Sequence, residues 1–369
     1  AQNVGEPGRN NDGPNPLNNV YFGEQHIHTS NSPDAFAVGT RSTWDDVYNF
    51  ALGNEITLST TGEKIKKKTP YDFVGITDHS EYFGVMPGMI DMSNPLSKTE
   101  LGKKLQDPNP DFSDPNSGIN VILSSIITSI PMKEFTTPEL VQGNWANFVE
   151  TANKYNDPGK FTTFIAYEWT SIPNGRNMHR NVYFRDEVPK APFSAFDSYY
   201  PEDLWTYMEI QRGLGIDNLA IPHNGNVSDG WMFSPNKFLG EPMDARYAAR
   251  QASNEPVFEI IQGKGQSDTH PYLSPNDEFG DFELFNNMIN VGMPSQLRNS
   301  FYRQALADGM MMEDKLGTNP FKYGVVAGAD SHSGYSGNEE DNFHGHHGAT
   351  DDTPAKRLKP GISPSGEPG

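Results

Sequence analysis

The chain has 369 residues, a length that fits one elaborated α/β barrel domain. Lys and Arg number 28 against 48 Asp and Glu, and this net charge of −20 argues against a nucleic-acid polymer or an anionic lipid surface as the partner. Cysteine is absent, so thiolate ligands and disulfides are excluded and any metal ion must be held by His, Asp and Glu.

Neither membrane insertion nor a cytoplasmic location is favoured by the sequence. The most apolar stretch, residues 119–130, is short and interrupted by polar residues, so no membrane span is expected. The chain begins at Ala1 without an initiator Met, for which a cleaved secretory signal and a deliberate truncation are both explanations. We expect a periplasmic or secreted protein.

The first recognisable strand carries a candidate metal motif. Residues 1–18 are rich in Gly, Asn and Pro and are predicted to form an extended arm. Residues 20–28 follow as a strand that ends in His26-Ile-His28. Because side chains alternate across a strand, both imidazoles project to the same side, where they could bind one metal ion. The motif alone is weak, since a single His-x-His is common in proteins without metal.

Further strands end in the same residue types. A helix is predicted at 43–53, and a strand at 71–79 ends in Asp78-His79, with Asp78 expected to orient neighbouring groups from the opposite face. Residues 84–137 are rich in Met and Pro and are predicted to form a cap over the mouth of the site. After a helix at 140–155, the strand at 161–169 contains Glu168.

The second half continues this alternation. Strands are predicted at 179–185, 218–223, 257–262 and 321–332, and helices at 202–212, 244–252 and 296–308. Alternating strands and helices predict parallel β/α units, whose active sites lie at the carboxyl ends of the strands. The residues of ligand type at or near these strand ends are His26, His28, Asp34, His79, Glu168, His179, His223, Asp330 and His332.

The order and spacing of these residues resemble the PHP (polymerase and histidinol phosphatase) superfamily. The sequence is most similar to a PHP-like branch known as domain of unknown function 3604. The similarity lies in three stretches: Phe-Gly-Glu-Gln-His-Ile-His-Thr-Ser, Ile-Thr-Asp-His-Ser-Glu and Gly-Ala-Asp-Ser-His-Ser-Gly. The resemblance covers residues 20–335. It implies a distorted (β/α)7 barrel over residues 19–335, with the 84–137 cap inserted between strands 2 and 3 and a loop-rich C-terminal segment at 336–369.

The resemblance also implies two to three divalent metal ions, Zn, Mn or Fe. His26, His28, Glu168 and Asp330 would hold the first ion, and Glu168 would bridge to a second ion held by His179 and His223. Asp34, His79 and His332 would hold the third, although many relatives have His in place of Asp34. Such a site is expected to hydrolyse phosphate esters with a metal-bridging hydroxide.

Four side chains are assigned to catalysis, and several roles stay open. Glu168 and Asp330 would act at the metal ions, while Arg176 and Arg180 would grip a phosphoryl oxygen of a small anionic ester substrate. Glu259, together with Lys264, is either substrate-side or structural. The alternatives to a phosphoesterase are hydrolysis of an amide, lactone or sulfate ester, a non-catalytic metal-binding relative, and a surface-binding module. His344, His346 and His347 are expected on a flexible surface.

Overall fold

The structure is a computed structural model that describes residues 19–107, 113–289, 291–337 and 339–358. The predicted arm at 1–18 lies outside the described residues, as do residues 338 and 359–369 of the predicted C-terminal segment. The described strands are β1 (Gly23–Ile27), β2 (Ile56–Thr57), β3 (Lys64–Ile65), β4 (Phe73–Ile76), β5 (Thr162–Trp169), β6 (Arg180–Arg185), β7 (Asp217–Pro222), β8 (Val257–Glu259), β9 (Ile261–Gln262), β10 (Gly265–Gln266) and β11 (Gly324–Val326). The described α-helices are α1 (Pro33–Ala37), α2 (Trp44–Ala51), α3 (Met86–Ile90), α4 (Glu100–Leu105), α5 (Gly118–Thr128), α6 (Pro138–Tyr155), α7 (Pro201–Gly213), α8 (Ala245–Asn254), α9 (Tyr302–Leu316) and α10 (Pro354–Arg357).

A mixed five-stranded sheet forms the centre of this α/β fold, with the order β1-β4-β5-β6-β7. β1, β4 and β5 pair in parallel, whereas β6 is antiparallel to both β5 and β7. β8 and β11 form a separate two-stranded parallel sheet. A single isolated bridge, between Ile27 and Ser331, connects the end of β1 to the segment that follows β11.

The prediction of a distorted (β/α)7 barrel is therefore wrong. Among the described residues, the hydrogen-bonded central sheet stops at β1 and β7 and does not close on itself. The connection from β5 to β6, residues 170–179, contains no α-helix. A parallel crossover needs a dozen or more residues and usually a helix, so this short connection returns β6 in the antiparallel direction.

Helices α2, α6 and α7 cover the sheet with the main hydrophobic core. Trp145 and Phe148 of α6 and Trp205 of α7 are buried against sheet residues such as Val74 and Tyr167. The start of α2 is fixed by Thr43, whose hydroxyl accepts a hydrogen bond from the backbone of Asp46 in a capping box. This packing holds the strands whose ends carry the candidate ligands.

The segment predicted as a cap, residues 84–137, is described except for residues 108–112; its described part contains α3, α4 and α5 and forms a hydrophobic cluster beside the main core. Met86, Met89 and Ile122 pack in this cluster with Phe36, which follows β1, and Ile172, which follows β5. The segment is thus anchored beside the sheet edge at which those two strands end. Among the described residues, no helix combines the length and apolar character needed to cross a membrane.

Candidate metal centre

The nine predicted ligands lie at one edge of the central sheet. β1, β4, β5 and β7 deliver His26, His79, Glu168 and His223 at or just after their carboxyl ends. β6 runs in the opposite direction, so its beginning lies at this edge, and His179 immediately precedes it. The edge therefore receives ligands from strands of both directions, which the parallel prediction did not foresee.

Glu168 lies in the middle of the cluster, and its two carboxylate oxygens face different imidazoles. Oε1 is 2.6 Å from Nδ1 of His179 and 2.9 Å from Nε2 of His223. Oε2 is 3.1 Å from Nε2 of His28 and 3.3 Å from Nδ1 of His79. A carboxylate whose two oxygens lie next to different sets of candidate ligands has the arrangement of a ligand that bridges two metal ions.

His26, His28 and Asp330 form a second tight group around the same carboxylate. The Nε2 atoms of His26 and His28 lie 3.3 Å apart, and Oδ1 of Asp330 is 3.3 Å and 3.0 Å from them. Asp330 Oδ1 and Glu168 Oε2 are buried, and despite these short distances to imidazole nitrogens neither oxygen accepts a hydrogen bond of acceptable geometry among the described residues. Converging ring nitrogens and unpartnered carboxylate oxygens fit a metal ion, because an unsatisfied buried polar group is otherwise costly.

Asp34 forms a third group with two further imidazoles. Its Oδ2 lies 2.8 Å from Nε2 of His79 and 2.8 Å from Nε2 of His332. The side chain of Asp34 is 32% exposed, whereas the imidazoles it contacts are buried, so this group marks the side of the centre that opens to solvent. A ring nitrogen of His28 lies close enough to join the same potential ligand set.

Neighbouring groups orient most of these rings through Nδ1. His26 Nδ1 is 3.0 Å from Glu259, and His28 Nδ1 is 2.9 Å from the Ser32 hydroxyl. The backbone oxygen of Asp330 lies 2.7 Å from Nδ1 of His332. A histidine that binds metal through one nitrogen is typically held in this way through the other. All three rings therefore present Nε2 to the centre.

The carboxylates shift the pKa values of two imidazoles strongly upward. Burial lowers the pKa of His26, but Glu259 and Glu168 outweigh it and raise that pKa to about 9. Burial is likewise outweighed at His79, where Asp34 and Glu168 raise the pKa to about 9. Burial prevails at His179 and lowers its pKa to about 3. The cluster thus holds both protonated and neutral imidazoles at neutral pH when no metal is bound.

Two further carboxylates, Asp78 and Glu259, are not among the nine candidate ligands but lie next to them. Asp78 accepts hydrogen bonds from the backbone of Thr29, at 2.6 Å, and from the indole of Trp44, at 2.8 Å. Thr29 follows His28 in the chain, and the orienting role predicted for Asp78 stays a prediction. Glu259 contacts the His26 ring and does not face open space, which favours a structural role over a role in binding substrate. No local motif in the sequence distinguished these two roles.

Gly328 makes the contact between Glu259 and His26 possible. A Cβ at that position would lie 2.9 Å from Cβ of His26 and would overlap the carboxylate of Glu259 and the amide of Gln25. Only glycine leaves enough room for the Glu259–His26 contact.

The predicted arginines lie outside this cluster, whereas Lys264 lies within it. Arg180 is buried in an ion pair with Glu255, with a 3.0 Å distance between Nε and Oε1. Arg176 pairs with Asp229 at 2.8 Å. The ammonium group of Lys264 instead pairs directly with Asp330. Because strand neighbours alternate in direction, Arg180 faces away from the side that His179 occupies.

The prediction that His346 and His347 lie on a flexible surface is wrong. They are only 4% and 8% exposed, and a ring nitrogen of each lies near one of His332. His344 of the same tract is half-buried and contacts Asn342 instead. The local Gly-rich sequence looks like a loop, but long-range packing buries this loop against the segment after β11.

Comparison with known proteins places the chain in a family without assigning an activity. A search of curated proteins gives no match. The family model described as "Protein of unknown function (DUF3604)" matches residues 15–364. This match carries no link to the PHP superfamily, and that resemblance stays a prediction. Because the match spans nearly the whole sequence, the chain belongs to the DUF3604 family of proteins of unknown function.

Proposed function

We propose that this protein is a metal-dependent hydrolase of phosphate esters. The observation that carries the proposal is the central position of Glu168, whose two oxygens each face a separate set of buried imidazoles. Ligand sets joined by one carboxylate are typical of hydrolytic sites with two metal ions. A buried cluster of this kind without ions would leave several carboxylate and imidazole atoms unsatisfied, as is the case for Asp330 Oδ1.

The donor set suits Zn, Mn or Fe(II), since it combines imidazoles with carboxylates and lacks thiolates. His26, His28 and Asp330 would hold one ion, His179 and His223 a second, and Asp34, His79 and His332 a third, with Glu168 shared between the first two. Bound ions would lower the pKa of coordinated water and polarise a phosphoryl oxygen. The protein contributes fixed ring orientations through partners such as Glu259 and Ser32.

A phosphate ester also needs positive charge from the protein, because the centre is rich in carboxylates. Lys264 is the side chain we assign to this role. Its ammonium group pairs with Asp330, and the Lys264 side chain as a whole is 18% exposed. Burial lowers the pKa of Lys264, and the carboxylates of Glu168 and Asp34 act against that shift. A cation held there can donate a charge-assisted hydrogen bond to a non-bridging phosphoryl oxygen.

The test combines metal content and hydrolysis on one preparation. Protein purified without chelator is analysed by elemental mass spectrometry and assayed on nitrophenyl phosphate mono- and diesters, nitrophenyl sulfate, an amide and a lactone. We expect two to three ions per chain and chelator-sensitive cleavage of a phosphate ester. Glu187→Gln, at an exposed carboxylate, serves as the matched control for Glu168→Gln.

The other outcomes discriminate between the alternatives. Full metal occupancy with cleavage of only the sulfate, amide or lactone would replace the phosphate assignment by that bond. Full occupancy with no turnover on the whole panel would support a non-catalytic metal-binding relative. Less than one ion per chain would overturn the metal centre itself.

A further inference from the structure

Gln262, at the end of β9, has a buried side-chain amide that joins two parts of the proposed centre. The residue is only 4% exposed. Its Nε2 donates to Oδ2 of Asp330 at 2.6 Å and to Oδ1 of Asn224 at 2.9 Å. Asn224 directly follows His223 after β7, whereas Asp330 follows β11, and these two strands belong to different sheets. One amide therefore connects the segments that carry candidate ligands of the two ions sharing Glu168.

The backbone around Gln262 defines the direction of this amide. Its Oε1 accepts a hydrogen bond from the backbone N–H of Lys264, so it is the nitrogen and not the oxygen that faces Asp330. The carbonyl of Ile261 and the N–H of Gly263 each make a 3.2 Å backbone hydrogen bond to the segment just before Asp330. The position thus requires two donors and one acceptor, which an amide supplies and an ionised carboxylate does not.

The same amide decides which oxygen of Asp330 faces the candidate ligands. Gln262 and the ammonium group of Lys264 both contact Oδ2. Oδ1 instead lies 3.3 Å from Nε2 of His26 and 3.0 Å from Nε2 of His28. With Oδ2 engaged by these two donors, Asp330 offers one oxygen to an ion. A ligand that binds through one oxygen helps to leave the open coordination position that catalytic metal sites need.

Both residues that Gln262 holds have a left-handed backbone conformation. The φ angle is 54° at Asp330 and 56° at Asn224. Residues other than glycine adopt this region uncommonly, and they stay in it only where the surrounding structure holds them. The two hydrogen bonds from Nε2 are among the contacts that hold these backbones at the edge of the centre.

We propose that Gln262 is a positioning residue of the metal centre. It directs Asp330 to bind through Oδ1 alone, and it holds the end of β7 against the segment that follows β11. This role rests on the proposed function, because it concerns ligands assigned there. Gln262 acts through Asp330 and Asn224 and is not itself assigned as a ligand.

The experiment compares the zinc affinity of the whole wild-type protein with that of Gln262→Met, by competition with a fluorescent zinc chelator. Methionine has a similar length but neither donor, so at least one ion per chain should bind about 10- to 100-fold more weakly. Gln266→Met is the matched control, because Gln266 is also buried, donates through Nε2 to the carbonyl of Thr269 and accepts through Oε1 from the backbone N–H of Asp268. The control should lose stability in urea denaturation of the metal-free protein but keep the zinc affinity of the wild type.

Each other outcome has a defined meaning. Circular dichroism identifies a variant that fails to fold, in which case Gln262→Asn, whose amide is one carbon closer to the backbone, is measured with the same expectation. Equal zinc affinity in the folded variant and the wild type would overturn the positioning role and leave the proposed function intact. An equal loss of affinity in Gln266→Met would also overturn that role, since the loss would then follow from general destabilisation. A wild type that binds less than one zinc ion per chain would overturn the proposed centre and this role with it.

Discussion

The imidazole of His26 and the carboxylate of Glu259 form a buried pair, with Nδ1 only 3.0 Å and 3.1 Å from the two carboxylate oxygens. This contact fixes the ring so that Nε2 points at Asp330 and Glu168. A carboxylate behind a metal-binding histidine raises the basicity of the ligand and sets its tautomer. Glu259 is therefore a positioning residue of the proposed centre.

Glu259→Gln is expected to lower metal affinity about 10- to 100-fold, because the amide holds the His26 ring less firmly than the carboxylate does. Competition with a fluorescent zinc chelator measures this affinity. Glu255→Gln is the matched control, since Glu255 is an equally buried carboxylate that pairs with Arg180 instead. Equal metal affinity in Glu259→Gln and wild type would remove Glu259 from the centre.

Because Glu168 lies between two ligand sets, Glu168→Gln should remove more bound metal and more activity than Asp34→Ala. Glu168→Gln should lower metal occupancy and abolish turnover together, by about 10³-fold or more, since the residue faces both ligand sets. Asp34→Ala should remove at most one ion, because the imidazoles that the Asp34 carboxylate contacts are those of His79 and His332. Metal content and ester hydrolysis measured on the same samples decide this. Full activity in Glu168→Gln would contradict the bridging assignment.

Gly328→Ala is expected to destabilise the protein by about 1–3 kcal/mol, because the added methyl group overlaps Glu259 and His26. Chemical denaturation of the metal-free protein measures the change in the free energy of unfolding. Gly143→Ala is the control: it lies within α6 and an added Cβ has no other atom within 4 Å. That substitution should stabilise the protein by up to about 1 kcal/mol through helix propensity.

The stability of the metal-free protein should fall as the pH rises from 6.5 to 9. The pKa values of His26 and His79 are raised to about 9 in the folded state, so their stabilising contribution is complete below 6.5 and is lost as the pH passes through 9. Metal ions need neutral imidazoles, so metal affinity should increase over the same range. Urea denaturation and zinc titration at several pH values measure both trends. His79→Gln should weaken the pH dependence of both stability and metal affinity. Equal pH dependence in the variant and the wild type would contradict the raised pKa of His79.

Lys264→Met should raise KM for a phosphate ester by about 10- to 100-fold, the range expected for a lost hydrogen bond to a charged group. Metal content should stay at the wild-type value, because Lys264 is not a ligand. Steady-state kinetics with elemental analysis of the same protein tests both statements. Lys160→Met removes an exposed lysine that pairs with Asp157 and is expected to leave KM unchanged. A KM equal to that of the wild type would assign Lys264 to structure alone.

The sequence by itself predicted the nine candidate ligand residues and several of the strands at whose ends they lie. Strands 71–79, 161–169 and 218–223 were evident because apolar runs and turn residues are local patterns, and the structure has β4, β5 and β7 in these ranges. Helix starts were equally local: Asp244 accepts a hydrogen bond from the backbone of Tyr247 and caps α8. The prediction that His26, Glu168 and Asp330 come together followed from their common position at strand ends.

Only the tertiary structure decided the direction of β6 and the open sheet. An alternating strand has the same pattern in either direction, so the sequence of β6 does not distinguish a parallel barrel strand from an antiparallel one. Burial of His346 and His347, and the contact between Glu259 and His26, depend on residues far apart in the chain. These features arise from long-range packing, which local sequence patterns do not encode.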